Sequence, residues 1–344
     1  MKLGIIGPAG AGKTTVFEAL THDFAGMGAK NETRLGTIHV PDPRIDLLSE
    51  MYRPQKTIYA QVEYLLPGKK EGKKEAGADL GWVRVIRDVD ALIVVIRNHA
   101  HMGFGAPDPQ ADFFAIDQEL ILTDLGTVEK RLERIAADAK RGKAADKEEH
   151  DLLVQCKAVL EEETPLRHYP ELADAKPLKG YAFLSAKAVL VLFNNADDDE
   201  SLPALPAALE EASCMVIRGK LEHELAQMSP EDAAELLEEF NIPTPATDRV
   251  IRKSYETLGL ISFFTVGEDE VRAWTIEKGT SALDAAGKIH TDIQKGFIRA
   301  EVISYEDQVA AGSAAAARKA GTFRLEGKTY TVQDGDIINF RFNV

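Results

Sequence analysis

The residues at positions 7–14 have the types and the spacing that bind phosphate groups. They match the pattern G-x-x-x-x-G-K-[ST] and lie between an apolar segment at 2–6 and a segment with helical spacing at 13–21. In such a loop, backbone N–H groups and the helix N-terminus attract phosphate oxygens. We expect Lys13 to be the catalytic, charge-stabilising group on the β- and γ-phosphates and Thr14 to bind Mg²⁺. The predicted nucleotide-binding residues are Gly7, Pro8, Ala9, Gly10, Ala11, Gly12, Lys13, Thr14 and Thr15.

A second segment, residues 194–197, has the N-x-x-D form of a base-binding motif and follows an apolar stretch. An Asn side chain with an acid three residues further on can grip the edge of a purine. Asn195 occupies the position where guanine-specific G-proteins usually have Lys, which argues against strict guanine specificity. Asn194, Asn195 and Asp197 are therefore candidate base-binding residues. The alternative is that Asn194 caps a turn and Asp197 opens an acidic loop.

A further segment, Ser185-Ala186-Lys187, resembles the last base-binding motif of G-proteins but precedes residues 194–197 instead of following them. We interpret it as the approach to the strand that begins near residue 188. The expected position of that motif comes after the strand-like segment 214–217. Arg218-Gly219-Lys220, which stands there, is a poor match.

The Mg²⁺-binding aspartate of a D-x-x-G motif is missing from its expected place. It should end the second strand of a G-domain, but residues 62–68 are Val-Glu-Tyr-Leu-Leu-Pro-Gly. Asp88 and Asp90 precede the next apolar stretch and are predicted to cap a helix or begin a strand. Thr33 and Thr37 are both candidates for the switch I threonine. Because Thr14 alone would hold Mg²⁺ more weakly, we expect nucleotide binding with slow or lost hydrolysis.

The elements that must position these loops follow from the apolar pattern. Apolar stripes at 116–135 and 152–160 predict a helical hairpin. Cys156 lies in the second stripe and is predicted to be a packed thiol. From residue 260 onward, alternating segments with one helical interruption predict a small α+β module. Buried strands are predicted at 2–6, 59–66, 91–97 and 188–193.

The composition fits a globular protein of two or three domains, with 344 residues, 44% hydrophobic and 28% charged. Its net charge of −15 excludes a generally basic nucleic-acid coat. This acidity is uneven, since residues 195–240 hold 13 acidic and two basic residues, whereas 261–344 hold 12 and 10. We see no apolar stretch long enough for a bilayer, no signal-peptide pattern, and too few cysteines for a disulfide framework. We therefore expect a cytoplasmic location and no membrane partner.

The order of these motifs resembles that of the YchF/Obg-like ATPase family of P-loop NTPases. The N-terminal part carries the resemblance in patches: the phosphate-binding loop, Pro41-Asp42-Pro43-Arg44, the helical insert and residues 194–197. The C-terminal part carries it almost continuously over 261–344. Its matching segments are 270–276, 285–292, 295–300, 334–336 and 339–344.

The resemblance implies an α/β fold in which a P-loop NTPase G-domain, at 1–112 and 178–260, is interrupted by an α-helical hairpin domain at 113–177. An α+β TGS-like domain follows at 261–344. It also implies an ATP-preferring NTPase that associates with ribosomes and acts in translation or stress responses. Asn195 in place of Lys fits that preference for ATP over GTP.

Several residues depart from the pattern of the family. Switch I is truncated before Gly36, and the D-x-x-G aspartate is missing. Asp197 stands where the family usually has Glu, and Lys69 replaces the hydrophobic residue that follows the D-x-x-G motif. These departures reinforce the expectation that binding persists while hydrolysis is slow or lost.

Basic residues in the C-terminal module form a candidate RNA-binding strip of Lys288, His290, Lys295 and Arg299. The basic residues on either side of Phe297 would suit stacking on unpaired bases. The alternative is a sheet with solvated charges and a buried Phe297, and a lone His in such a place is more often structural.

These patterns together predict a monomeric protein that binds ATP or GTP with Mg²⁺ and contacts the ribosome or RNA through residues 261–344. The γ-phosphate is expected to order the loops at 31–40 and 68–80. One alternative is a nucleotide-gated scaffold without catalysis, favoured by the missing aspartate. Another is a small-molecule kinase, because residues 10–15 are kinase-like. The TGS-like tail and the lack of an obvious Arg-rich lid argue against the kinase.

Overall fold

The fold is taken from a computed structural model that describes residues 1–24, 32–68, 81–101, 103–144, 146–205, 209, 213–240, 242 and 244–343. The strands are β1 (Lys2–Ile6), β2 (Arg34–His39), β3 (Lys56–Ile58), β4 (Gln61–Leu66), β5 (Ala91–Asn98), β6 (Ala188–Asn195), β7 (Cys214–Ile217), β8 (Leu260–Val266), β9 (Glu270–Glu277), β10 (Phe297–Ile303), β11 (Arg324–Glu326) and β12 (Ile337–Phe342). The helices are α1 (Lys13–Thr21), α2 (Pro43–Tyr52), α3 (Gly81–Ile86), α4 (Pro109–Lys140), α5 (Lys147–Glu161), α6 (Pro170–Ala173), α7 (Gly219–Leu225), α8 (Pro230–Glu239), α9 (Ala246–Thr257), α10 (Ala282–Ile289), α11 (Thr291–Lys295), α12 (Tyr305–Ala311) and α13 (Ala314–Ala320).

The chain forms two compact units. The first comprises Met1–Thr37 and Glu63–Arg249, and the second comprises Ile38–Val62 and Val250–Val344. The chain therefore leaves the first unit within β2 and returns to it within β4. The helical hairpin lies inside the first unit, and the division into three domains made from the sequence remains a prediction.

The first unit is organised around a six-stranded sheet with the order β2-β4-β1-β5-β6-β7. β1 pairs in parallel with β4 and β5, and β6 pairs in parallel with β5 and β7. β5 is buried over nearly its whole length, as expected for a central parallel strand covered on both faces. Because these strands are parallel, their carboxyl ends lie at one edge of the sheet, where α/β proteins bind ligands.

The helical hairpin consists of α4 and α5. α4 begins at Pro109 after an Asp108 cap that accepts from the N–H of Ala111, and Asp146 caps α5 in the same way. Their facing apolar residues form a separate core that includes Val128, Leu153 and Cys156, each completely buried. This confirms the predicted helical hairpin and the predicted packed thiol.

The second unit contains a sheet with the order β11-β10-β12-β8-β9-β3. β8 and β9 form an antiparallel pair, and β3 adds to β9 in parallel through Lys56, Thr57 and Ile58. α10 packs its alanines against the sheet in a core that includes Phe263 and Val302. The C-terminal part thus mixes strands and helices, as the α+β prediction required, although α12 and α13 add to the single helical interruption expected from the sequence. The unit also contains residues 38–62 from the N-terminal half.

No helix in the part of the chain that the structure describes is long and apolar enough to cross a membrane.

Candidate functional site

The phosphate-binding loop joins β1 to α1 at the carboxyl edge of the first sheet. Gly7, Gly10 and Gly12 adopt positive φ angles of 147°, 79° and 92°. A Cβ atom on Gly7 would lie 2.2 Å from the carbonyl oxygen of Val95, and one on Gly12 would lie 2.3 Å from Nδ2 of Asn194. Positions 7 and 12 therefore require glycine for both backbone conformation and space.

Lys13 folds back across this loop. Its Nζ donates hydrogen bonds to the carbonyl oxygens of Gly7 at 2.8 Å and Pro8 at 2.6 Å. Thr14 is exposed in the first turn of α1. Among the described residues, no side chain caps the start of α1. The first N–H groups of this helix and the Lys13 ammonium thus form a positive end suited to an anion.

Asn194 lies at the end of β6 and is almost completely buried. Its Nδ2 donates to the carbonyl oxygen of Ala11 at 3.0 Å, and its Oδ1 accepts from the N–H of Gly219 at 2.9 Å. One amide side chain therefore connects the phosphate-binding loop with the start of α7. The first residue of the predicted base-binding segment lies beside the predicted phosphate site.

Asn195 is also buried but faces other partners. Its Nδ2 donates to the carbonyl oxygen of Ser201 at 2.8 Å, and its Oδ1 accepts from Asn98 at 2.9 Å. Asp197 is half-buried, and its carboxylate lies 3.3 Å from Nζ of Lys220. The hydrogen bond to Asp197 raises the pKa of the Lys220 ammonium.

The segment 218–220 lies closer to the predicted base-binding residues than its sequence suggested. As a motif it is a poor match, yet Gly219 bonds Asn194 and Lys220 pairs with Asp197. The signal that would have located it was its position, directly after β7, because β7 pairs with β6 and their ends lie together.

The earlier segment, 185–187, is part of the framework, directly before β6. The N–H groups of Leu184 and Ser185 donate to the buried carboxylate of Asp124 at 3.0 and 2.7 Å. Burial raises the pKa of Asp124 and lowers that of Lys187, whose Nζ donates to the carbonyl oxygen of Val89. These contacts give the segment a structural role at the start of β6.

Among the residues that the structure describes, the end of β4 offers no carboxylate to a metal. β4 ends at Leu66, and Pro67 and Gly68 follow it. Asp90 accepts from the N–H of Lys2 at 2.7 Å, at the start of β1, which is the opposite end of that strand from the phosphate-binding loop. Within the described ranges, no group of three His, Cys, Asp or Glu side chains could hold a metal ion.

Two predictions about the loops near this edge are only partly covered by the described residues. Thr33 Oγ1 accepts from the N–H of Gly68 at 3.4 Å, whereas Thr37 is exposed in β2. Lys69, most of the loop at 68–80 and residue 31 of the loop at 31–40 lie outside the described residues. Which threonine belongs to switch I therefore stays a prediction.

The candidate RNA-binding residues are all exposed. Lys288 lies on α10, Lys295 lies on α11, and His290 lies between these two helices. Arg299 lies on β10, where it is paired with Arg341 of β12. Phe297 is only 6% exposed and packs against Phe340 in the core. Of the two alternatives for Phe297, the structure selects the buried one, so this ring is not available for stacking on bases.

Residues 260–343 match the family model described as YchF-GTPase_C, a protein of unknown function. The whole chain is similar to "Ribosome-binding ATPase YchF" of Bacillus subtilis (strain 168), with 39% identity over 365 residues and 99% of each chain covered. The protein of the same name from Escherichia coli O157:H7 is 38% identical, over 100% of this chain and 99% of the other. The solved structure of the Schizosaccharomyces pombe YchF GTPase superposes with a TM-score of 0.80 at 28% identity, covering 99% of this chain and 97% of the other.

Proposed function

This chain belongs to the YchF family, and from that membership we propose that it binds ATP with Mg²⁺ at residues 7–15 and associates with the ribosome in a nucleotide-dependent manner. The observation that carries the proposal is the Asn194 side chain, which joins Ala11 to Gly219. These two hydrogen bonds connect the predicted base-binding segment to the phosphate-binding loop, as a shared nucleotide site requires. The similar proteins from Bacillus subtilis and Escherichia coli bear the name ribosome-binding ATPase.

The preference for ATP over GTP rests on the base-binding segment. Asn195, which is buried, stands at the position where a G-protein has the Lys that would cover a guanine. The carboxylate of Asp197 accepts hydrogen bonds, and the adjacent Lys220 donates them. The amino group of adenine can donate to this carboxylate, but that of guanine can do so too, so the preference for ATP rests on the missing Lys at position 195.

The bound triphosphate would take the place of the carbonyl partners of Lys13. The Nζ of Lys13 would leave the carbonyl oxygens of Gly7 and Pro8 and bind the β- and γ-phosphates. The first N–H groups of α1 would donate to the phosphate oxygens. The exposed hydroxyl of Thr14 would serve as a protein ligand to Mg²⁺, and the ion would neutralise phosphate charge. The donor set fits such an ion weakly, because Leu65 stands three residues before Gly68, at the position of the aspartate in the D-x-x-G pattern.

Slow hydrolysis follows from this arrangement. Lys13 and the helix N-terminus stabilise the charge that develops on the γ-phosphate, but no described carboxylate at the end of β4 positions a water. A second candidate function, a scaffold gated by nucleotide without catalysis, is favoured by the same missing aspartate, replaced by Leu65.

The ribosome contact is assigned to residues 261–344, with Lys288, His290, Lys295 and Arg299 as RNA-facing groups. All four side chains are exposed. The protein would act in the cytoplasm, where ribosomes are, as a monomer with the three-domain division predicted from the sequence.

Titration calorimetry with ATP and GTP, each with and without Mg²⁺, tests the nucleotide site, and phosphate release is then measured on the same sample. Lys13→Ala should abolish binding, whereas Lys147→Ala on α5 should leave it unchanged. Absence of binding to both nucleotides would overturn the proposal, and tight ATP binding without phosphate release would establish the scaffold. Ribosome co-sedimentation with and without ATP, using full-length chain with Lys288, Lys295 and Arg299 changed to Glu, tests the second part.

A further inference from the structure

Arg218 is a buried arginine directly after β7, with 8% of its side chain exposed. With the described residues, its guanidinium makes three polar contacts. Nη1 lies 2.9 Å from a carboxylate oxygen of Glu200 and 3.4 Å from the carbonyl oxygen of Asp197, and Nη2 donates to the carbonyl oxygen of Phe240 at 3.4 Å. Two of these contacts go to the acidic loop that contains the predicted base-binding acid.

A buried guanidinium is costly unless its donors are satisfied, so these contacts define where the side chain can lie. The base of the side chain is equally fixed, because Ile217, the residue before it, pairs with Asn194 in the parallel register of β6 and β7. The planar fork of an arginine holds two oxygen atoms in a set geometry. Arg218 therefore connects the end of β7 to the loop that follows β6.

The loop at 194–201 has further internal ties. Asn195 bonds the carbonyl oxygen of Ser201, and the carboxylate of Asp199 accepts from the N–H of Ser201 at 2.9 Å. Hydrogen bonds from Ser201 lower the pKa of Asp199. The bond from Asn195 attaches the far end of the loop to β6, whereas Arg218, directly after β7, contacts the loop at Asp197 and Glu200.

We infer that Arg218, together with Glu200, is a positioning residue that sets the place of the Asp197 carboxylate for a purine base. An aspartate has one methylene between its backbone and its carboxyl group, so the position of its main chain decides what the carboxylate reaches. Arg218 holds the main chain at the carbonyl of Asp197, and Lys220 orients the carboxylate from 3.3 Å. This inference rests on the proposed nucleotide site and assigns to Arg218 a role in recognising the base, not the phosphates.

The test separates the base from the phosphates by using two probes, MgATP and magnesium tripolyphosphate. Glu200→Ala removes the surface partner of Arg218, and with 61% of its side chain exposed Glu200 can be replaced without disturbing the core. Asp198→Ala, at an exposed position in the same loop, is the matched control. Arg218→Gln and Arg218→Lys test the guanidinium itself, with thermal unfolding as a check on folding.

We expect Glu200→Ala to weaken MgATP binding about fivefold and Arg218→Gln about tenfold, as for loss of an orienting contact, while tripolyphosphate affinity stays within about twofold. Arg218→Lys should recover part of the loss, and Asp198→Ala should match the unchanged protein. Equal loss for both probes, or unchanged ATP affinity in folded Glu200→Ala and Arg218→Gln, would overturn the inference while leaving the proposed function intact. If the unchanged protein binds neither ATP nor tripolyphosphate, the proposed function falls first and the inference falls with it.

Discussion

Arg44 donates two hydrogen bonds to Asp334, a residue 290 positions further along the chain, from Nη1 at 2.8 Å and from Nη2 at 3.3 Å. The same guanidinium is held by Asp42 and lies over the ring of Phe264 at 5.2 Å from its centre. Asp334 also accepts from the N–H of Ser262 at 2.9 Å. The segments 41–44 and 334–336, which the sequence suggested only as separate family features, are thus joined by an ion pair inside the second unit.

Removal of this ion pair should destabilise the second unit. The two carboxylates raise the pKa of Arg44 further above its ordinary range, so the guanidinium stays charged at any pH at which the protein folds. Because Asp334 is half-exposed, we expect Asp334→Asn to lower the free energy of unfolding by only about 1–2 kcal/mol. Urea unfolding measures this loss. Glu256→Gln, which breaks an exposed pair with Lys253 on α9, should cost much less, and equal losses would contradict the assignment.

Asn194→Asp should damage the nucleotide site without unfolding the protein. An aspartate carboxylate cannot donate to the carbonyl oxygen of Ala11 and repels it, although it can still accept from the N–H of Gly219. We expect ATP affinity to fall by about tenfold or more, the range for a lost buried hydrogen bond. Calorimetry measures the change. Asn343→Asp, the same substitution at an exposed position, is the control, and unchanged ATP affinity in Asn194→Asp would refute the role of this bond.

The site was predictable from the sequence where its residues are neighbours in the chain. The spacing of residues 7–14 predicts a phosphate-binding loop, and the apolar run of β6 predicts that Asn194 lies at the end of a buried strand. The placement of residues 38–62 was not predictable, because β3 pairs with β9 through Lys56 and Glu270, residues far apart in sequence. A short, half-exposed strand such as β3 has no apolar pattern from which the strand that pairs with it could be predicted.

Arg218 was missed for a different physical reason. A buried arginine has no distinctive sequence signal, since its charge is compensated by Glu200 and by main-chain oxygens that only the folded loop supplies. Phe297 illustrates the converse, because an aromatic residue between basic ones suits both a core and a stacking surface until its neighbour Phe340 is known.

Cys156 should be unreactive in the folded protein. Burial raises the pKa of its thiol to about 11, so the folded state holds this proton more tightly than the unfolded chain does. The contribution to stability is therefore complete below the unfolded pKa of about 8.5 and is lost as the pH rises toward the folded value. At pH 8 we expect a thiol reagent to modify Cys156 about a hundredfold more slowly than in denaturant. Peptide mapping after timed alkylation measures both rates, and comparable rates would show that α5 does not protect the thiol.

Tyr330 should stabilise the second unit in a pH-dependent way through Asp336. Its hydroxyl donates to the Asp336 carboxylate at 2.7 Å, and the N–H of Gln333 donates to the same oxygen at 2.9 Å. Burial raises the pKa of Asp336 despite these bonds. The folded state thus binds the Asp336 proton more tightly, so the carboxyl contributes stability at low pH that is lost as the pH rises through its folded pKa.

Tyr330→Phe removes one donor from the ionised form and should raise the pKa of Asp336 further. The variant should therefore lose about 1–2 kcal/mol of unfolding free energy at pH 7 and less at pH 4, where a larger fraction of the carboxyl is protonated. Urea unfolding at both pH values measures the difference. Tyr255→Phe provides the matched control, because its hydroxyl bonds the neutral side chain of Thr275 at 2.6 Å and its loss should not vary between these pH values. A Tyr330→Phe penalty that is the same at pH 4 and pH 7 would mean that the hydroxyl does not stabilise the Asp336 charge.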